Sequence, residues 1–228
     1  MALQIVNPTM APQGAIRGVL FDLDGLVLDT EKLYSRFWMG ACHHYGFPMT
    51  YEQSLSMRAL NGQAGQEMLR GFFGDSADYQ TIRAERIRQM DAFVLENGVD
   101  VKPGIRELLT QLHSRGIATA ITSASPMDRI RLYLGKVELL PLFDKLCSGH
   151  EVPNGKPAPD IYRYGAASLG LEPGECLALE DAWSGLLSAN RAGCVPIMIP
   201  DLDGPNEKTR PLVYAVAENP LDILPLLP

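Results

Sequence analysis

The chain has few cysteines and no pairing pattern among them. Cys42, Cys147, Cys176 and Cys194 lie far apart without a CxxC pair, which argues against a disulfide framework or a cysteine zinc site and predicts reduced, mostly buried thiols in a cytoplasmic protein. No apolar run approaches the length of a membrane span. Met1 to Ala15 lacks the charged and apolar regions of a signal peptide and is expected to be a flexible tail. Positive charge is also short: 20 Lys and Arg stand against 27 Asp and Glu, a net charge of -7. That balance argues against a non-specific nucleic-acid surface or an anionic-membrane surface. A phosphate-bearing ligand would need a local positive device.

What is present is ordinary globular material, 46% hydrophobic and 21% charged over 228 residues. This suffices for one large domain or for a core carrying an inserted subdomain. The most informative stretch runs from Ile16 to Thr30. Ile16 to Phe21 is apolar apart from Arg17 and Gly18, which suits a strand covered on both faces of a parallel sheet. Asp22 and Asp24 follow at i and i+2, a spacing that points both side chains to one side of a strand, and Gly25 permits a sharp turn. Two carboxylates crowded at a strand end repel one another, and a bound cation would relieve them. Asp-Leu-Asp-Gly is equally an ordinary way for a strand to end in a turn, so the rest of the chain must decide.

After Asp29 or Thr30, as a cap, a helix is predicted over Glu31 to Tyr45, with Leu33, Phe37, Trp38, Ala41 and Tyr45 at helical spacing. Thr50 with Gln53 reads as a capping box for a short helix stopping near Asn61-Gly62. Further helices are predicted over Gln66 to Phe73 and Ala77 to Leu95. With no strand signal between Thr30 and Val99, residues 31–98 form a helical insertion that covers something. Beyond Pro103-Gly104 the chain alternates: helix over Ile105 to Ser114, strand over Ile117 to Thr122, helix over Pro126 to Leu134, a weaker strand at Phe143 to Ser148, then a helix from Asp160 through Leu169. Cys176 to Leu179 reads as a strand, Ser184 as the cap of a helix ended by Gly193, and Val195 to Ile199 as a strand. Alternation of this kind implies an α/β fold with a parallel sheet and helices on both faces.

Ligands of such sheets bind outside the carboxyl ends of the strands. Asp22 and Asp24, Ser123, and Glu180 with Asp181 each fall at such an end, and Lys156 lies in a loop leading to the next strand. A phosphate there would receive the Ser123 hydroxyl, backbone N–H groups from Ser123 to Ser125 including Ala124, and the Lys156 ammonium. A divalent cation held by the carboxylates would bridge to its oxygens. Each piece alone has a bland account, as a strand-to-helix connection, a solvated lysine or a helix cap. Their shared edge is hard to ascribe to chance.

The order Asp22-x-Asp24-Gly25, Ser123 after an apolar strand, Gly155-Lys156-Pro157-x-Pro159-Asp160, and Glu180-Asp181-x-x-x-Gly185 resembles the motif set of the haloacid dehalogenase superfamily. The likeness spans residues 16–200 and is greatest to the phosphatase and β-phosphoglucomutase-like branch. It implies a Rossmann-like core over 16–30 and 99–228 with an all-helical cap over 31–98, hinged about Leu26 to Thr30 and Val99 to Pro103. It also implies Mg2+-dependent phosphoryl transfer. Asp22 is then the nucleophile that forms an aspartyl-phosphate, and Asp24 the general acid and base. Asp22, the backbone carbonyl of Asp24, and Asp181 bind magnesium with Glu180 assisting, while Ser123 and Lys156 hold the phosphoryl group.

The β-phosphoglucomutases it resembles carry a His five residues after the Asp of their Asp-Thr pair and an Arg three residues after a cap-loop Gly. Here those positions are Tyr34 and Gly65, with Arg58 near enough to take the second role. The expected activity is therefore hydrolysis of a small phosphorylated metabolite, a sugar phosphate or nucleotide-like phosphomonoester, with a phosphomutase as the alternative. Tyr34, Trp38, Arg58, Asn61 and Gln63 are the candidate substrate-selecting residues. Receiver domains also gather carboxylates, a Ser or Thr and a Lys round magnesium, but their acidic pair comes first, whereas here Asp22 comes first and Glu180-Asp181 late. A catalytically idle scaffold would have lost a residue such as Asp22 or Lys156. The chain is expected to act as a monomer in the cytoplasm, without nucleic acid or membrane. Asp201 to Pro211 has no functional reading, and Leu221 to Leu227 is expected to pack as a short apolar helix.

Overall fold

The computed structural model describes residues 3–58, 60 and 62–228. It divides into two compact units, Met1–Asp29 with Asp100–Pro228, and Thr30–Val99. The first unit is built on β2 (Gly18–Phe21), whose Val19, Leu20 and Phe21 are fully buried. On one side β2 pairs in parallel with β3 (Ala118–Ser123), which pairs with β4 (Lys145–Ser148). On the other side it pairs in parallel with β5 (Cys176–Glu180), followed by β6 (Val195–Met198) and β7 (Ala215–Val216). The sheet is seven-stranded in the order β1-β7-β6-β5-β2-β3-β4, where β1 is Gln4–Ile5. The strand order reverses at β2, so its carboxyl end is a topological switch point, the usual ligand crevice of open parallel sheets.

The pleat sorts the strand residues into two faces. Leu20, Ala120 and Ala178 pack with Ile161, Tyr162 and Ala166 of α7 (Asp160–Ser168) and with Ala189 and Ala192 of α8 (Trp183–Ala192). The helix α5 (Ile105–Ser114) buries Ile105, Leu108, Leu109 and Leu112 and lies beside β3, whereas α6 (Met127–Lys136) lies beside β4. Phe21 meets Phe143 edge-on at 5.5 Å between ring centroids. Ser184 does not cap α8. That helix begins at Trp183, with Ala182 at its N-cap two residues before the expected one. Residues 220–226 form a 3-10 helix that buries Pro220 and Ile223.

The expectation of a loose amino-terminal tail is corrected. Ile5 and Gln4 pair antiparallel with Ala215 and Val216, and the Asn7 amide donates to the carbonyls of Arg210 and Val213 at 2.8 and 2.7 Å. Val6 also packs on Leu186, Met198, Val213 and Val216. The physical reason is the open edge of β7, whose backbone groups need partners. A two-residue strand is too short to show any period in the sequence.

The second unit is all helical among its described residues: α1 (Glu31–His44), α2 (Tyr51–Ser56), α3 (Gly62–Phe73) and α4 (Tyr79–Asn97). The Thr50/Gln53 capping box forms at the start of α2, although the helix ends at Ser56, short of the predicted stop. Thr30 occupies the N-cap of α1 without a side-chain capping hydrogen bond. Trp38, Ala41, Cys42, Leu69, Tyr79 and Ile82 share one core. Trp38 is 5% exposed and lies 5.7 Å from the Tyr79 ring, so it is part of that core. No helix of the described residues is long and apolar enough to cross a membrane.

Cys42, Cys147, Cys176 and Cys194 are free and buried. Burial pushes the Cys42 and Cys176 thiols up to about 12 and also raises Cys147 and Cys194. A raised thiol pKa leaves little thiolate near neutral pH. The folded protein is therefore expected to react negligibly with Ellman's reagent at pH 8 and to titrate all four thiols in denaturant. Rapid stoichiometric labelling of the native chain would contradict this packing.

Candidate active site

The strand ends converge as the alternating pattern requires. β2 stops after Phe21, and the Asp22 amide still donates to Leu179 O at 3.1 Å, which holds Asp22 beside the end of β5. The following turn closes on itself: Gly25 N donates to Leu28 O at 2.9 Å, and Leu28 N to Leu23 O at 2.9 Å. Gly25 has φ +83°, and a Cβ there would stand 2.6 Å from Asp181 Oδ2. Only glycine fits both the backbone and the space. The turn thereby lies against the Glu180-Asp181 segment that leaves β5.

Lys156 joins the carboxylates. Its Nζ lies 2.6 Å from Asp22 Oδ1 and 2.5 Å from Glu180 Oε1, and its side chain is 9% exposed. Burial opposes the charge on Lys156, but Asp22 and Glu180 outweigh it and hold the ammonium above the ordinary lysine value. Glu180 is pushed up to about 7, first by burial and then by the Asp22 carboxylate, against the pull of Lys156. Tyr162 supports both. Its hydroxyl donates to Glu180 Oε1 at 2.5 Å, and Lys156 Nζ lies 5.2 Å from its ring centroid. A Cβ at Gly185 would fall 1.8 Å from Glu180 Oε1, so the glycine leaves the space in which that carboxylate sits.

Across β3, Ser123 is 1% exposed and its Oγ accepts from Ser125 N at 3.0 Å. The Ser125 amide is thus already engaged, and the Ser123 hydroxyl hydrogen is left to donate elsewhere. Ala124 is exposed at the same turn. The Ser125 hydroxyl donates to Asp24 Oδ2 at 3.2 Å, while the Ser125 carbonyl accepts from Ser148 Oγ at 2.7 Å. Sequence reasoning missed Ser125 as an orienting partner of Asp24. It also missed Tyr162, two residues beyond Asp160 in the first turn of α7, which reads only as one more apolar position of the expected helix.

Tyr34, Arg58 and Gln63 lie in the helical unit. The Arg86 guanidinium sits 4.6 Å from the Tyr34 ring centroid and 5.2 Å from that of Trp38, a cation–π arrangement. Arg58 Nε donates to Leu55 O at 3.3 Å, and Gln63 Nε2 to Glu67 Oε1 at 2.7 Å. Asn61 lies outside the described residues. Gly65 is buried inside α3, where a Cβ would stand 2.3 Å from Tyr79 Cε2. Tyr79 is in turn fixed by its hydroxyl on Leu60 O at 3.0 Å.

The donor set suits a divalent cation. One oxygen each from Asp22, Glu180 and Asp181 can be chosen so that all lie within 4.8 Å of one another. Hard carboxylate oxygens without nitrogen or sulfur are the ligands magnesium prefers. The Asp24 side chain is not among these atoms.

Comparison with known proteins agrees with this architecture. Residues 19–199 match the family model described as haloacid dehalogenase-like hydrolase. The chain is 34% identical over 198 residues to the "Probable pseudouridine-5'-phosphatase" of Drosophila melanogaster, covering 83% of this chain and 84% of that protein. It is likewise 34% identical over 185 residues to hexitol phosphatase A of Escherichia coli K12, covering 80% and 82%. The crystal structure of CbbY from Rhodobacter sphaeroides in complex with phosphate superposes with a TM-score of 0.70 at 25% identity, covering 90% of this chain and 92% of that one. With a family match from β2 through β6 and the motif residues gathered at the sheet's carboxyl edge, the chain belongs to the haloacid dehalogenase-like hydrolases.

Proposed function

We propose that this protein is a Mg2+-dependent phosphatase that hydrolyses a small phosphomonoester, a sugar phosphate or a nucleotide-like compound, through an aspartyl-phosphate on Asp22. The observation that carries the proposal is the Lys156 ammonium 2.6 Å from Asp22 Oδ1 and 2.5 Å from Glu180 Oε1 at the carboxyl end of β2. A carboxylate nucleophile repels a phosphate dianion unless cations sit beside both. Relatives whose names specify pseudouridine-5'-phosphate and hexitol phosphates give the substrate class its range.

In the first step an Asp22 carboxylate oxygen attacks phosphorus and the bond to the leaving oxygen breaks. Asp24 gives its proton to that oxygen. In the second step Asp24, now a carboxylate, takes a proton from water as the water oxygen attacks phosphorus, which frees phosphate and restores Asp22. Ser125 orients Asp24 for both transfers. Lys156 and the Ser123 hydroxyl hold the phosphoryl oxygens, with the exposed Ala124 turn beside them. Asp22, the backbone carbonyl of Asp24, and Asp181 would hold magnesium with Glu180 alongside. When bound, the ion neutralises charge on the transferring oxygens.

The helical unit is inferred to be the cap that selects substrate, with Tyr34, Arg58, Asn61 and Gln63 as the residues to vary. A mutase is less well supported. Position 65, where the resembling mutases carry an Arg, is a glycine against the Tyr79 ring with no room for a side chain, and Tyr34 replaces their His.

Phosphate release from a panel of hexitol, sugar and nucleotide-like monophosphates is expected to require Mg2+, to stop with chelator, and to fall by on the order of 10^4-fold or more in Asp22→Asn. Equal rates for wild type and variant would reject Asp22 as nucleophile. Rapid isomerisation of β-glucose 1-phosphate to glucose 6-phosphate with little free phosphate would favour the mutase. Gly185→Ala is expected to displace Glu180 and cost about 1–3 kcal/mol in urea unfolding together with most activity. Gly71→Ala, in α3 with open space around its Cβ position, is expected to be neutral or stabilising. Equal tolerance at the two glycines would contradict the crowding at Glu180.

A further inference from the structure

Asp201 follows β6 in the loop that carried no reading in the sequence, yet its side chain is only 7% exposed. Its Oδ1 is clamped by Lys102 Nζ, which also stands 3.5 Å from Asp29 Oδ1. The other oxygen, Oδ2, is buried and has no hydrogen-bond partner among the described residues. An unpartnered carboxylate oxygen out of water carries a large penalty, and native structures rarely leave one without a ligand or water. Asp201 Oδ2 lies close to Gly25 and Asp181. A Cβ at Gly25 would lie 3.4 Å from Asp201 Oδ2 and 2.6 Å from Asp181 Oδ2. Asp181, just after β5, and Asp201, beyond β6, thus each bring a carboxylate oxygen near Gly25, and Asp181 belongs to the Asp22, Glu180 and Asp181 group.

We infer that Asp201 is an outer-sphere residue of the cation site, accepting through Oδ2 a hydrogen bond from a water bound to the divalent ion. Magnesium keeps several of its waters when it binds protein carboxylates, and each such water is a strong donor seeking an anionic acceptor. Asp201 is placed for that role because Lys102 satisfies Oδ1 and leaves Oδ2 without a partner on the side of Gly25 and Asp181. Lys102 also compensates the negative charge that Asp201 adds next to Asp181. It belongs to the strand-like segment Val101–Lys102, which pairs with Val27–Leu28: Leu28 and Val101 bridge, and Lys102 N donates to Val27 O at 3.0 Å. The clamp on Asp201 is therefore anchored to the backbone of the turn that carries Asp22 and Asp24. The inference rests on the cation-binding reading proposed above.

The test is isothermal titration of Mg2+ into metal-free wild type, Asp181→Asn, Asp201→Asn and Asp29→Asn, with folding checked by circular dichroism. Wild type is expected to bind one equivalent and Asp181→Asn to lose it; an absence of binding in wild type would sink the cation site itself. Given wild-type binding, Asp201→Asn is expected to weaken affinity by about 10–100-fold, the usual cost of losing an outer-sphere partner. Asp29→Asn removes the same charge from the same lysine and is expected to change affinity by no more than about two-fold. Wild-type affinity in Asp201→Asn would overturn the inference and leave the cation site intact. An equal loss in Asp29→Asn would overturn it in favour of a general charge effect through Lys102. If the Asn variant fails to fold, Asp201→Ser, which empties the space, is held to the same outcomes.

Discussion

The site depends on one buried ammonium shared by two carboxylates. Lys156 pairs with both Asp22 and Glu180 at the junction of β2, β5 and the loop before α7. Taking such charges out of water costs several kcal/mol per ion, and removing a single partner leaves an uncompensated charge. The surrounding residues serve this group: Tyr162 donates to Glu180, Gly185 makes room for it, and the Asp22 amide is pinned to β5. Charge arithmetic is the reason a second cation is proposed there. Lys156 sets one positive charge against the two carboxylates of Asp22 and Glu180, and a phosphate bound at this edge would add more negative charge. A divalent ion held by Asp22, Glu180 and Asp181, as proposed, would restore the balance.

Much of this was legible before any coordinates, because a parallel sheet converts sequence position into spatial position. Each strand read as apolar and buried delivers its next residues to the same edge, so Asp22, Ser123 and Glu180-Asp181 could be placed together from strand order alone. Lys156 was legible by its place in a loop leading to the next strand, and more firmly through its motif, since a loop carries no periodicity. The helices of the insertion were legible from spacing and from the Thr50/Gln53 capping box, with boundaries in error where no strong stop exists, as at Ser56.

The missed features share a different physics. β1 and β7 are two-residue strands whose formation is dictated by an open sheet edge and not by their own pattern. Tyr162 reads as one more apolar helix position until its hydroxyl is seen on Glu180. Asp201 reads as a loop acid until Lys102, distant in sequence, is found clamping it. Ser125 looks like turn filler until it meets Asp24. In each case the partner is remote along the chain, and polar pairing across such distance leaves no trace in local composition. Gly65 is the reverse case. It was noticed as a departure from the mutase pattern, and its contact with the Tyr79 ring gives that departure a steric cause.

The central claim is that phosphate passes through a covalent bond to Asp22. Its most direct test is to quench the enzyme in acid during turnover with substrate and Mg2+, reduce the acyl phosphate with borohydride, and map the reduced residue by peptide mass spectrometry. The account predicts reduction at position 22 alone, dependent on substrate and lost with chelator. Reduction at another carboxylate, or none while phosphate is being released, would contradict it.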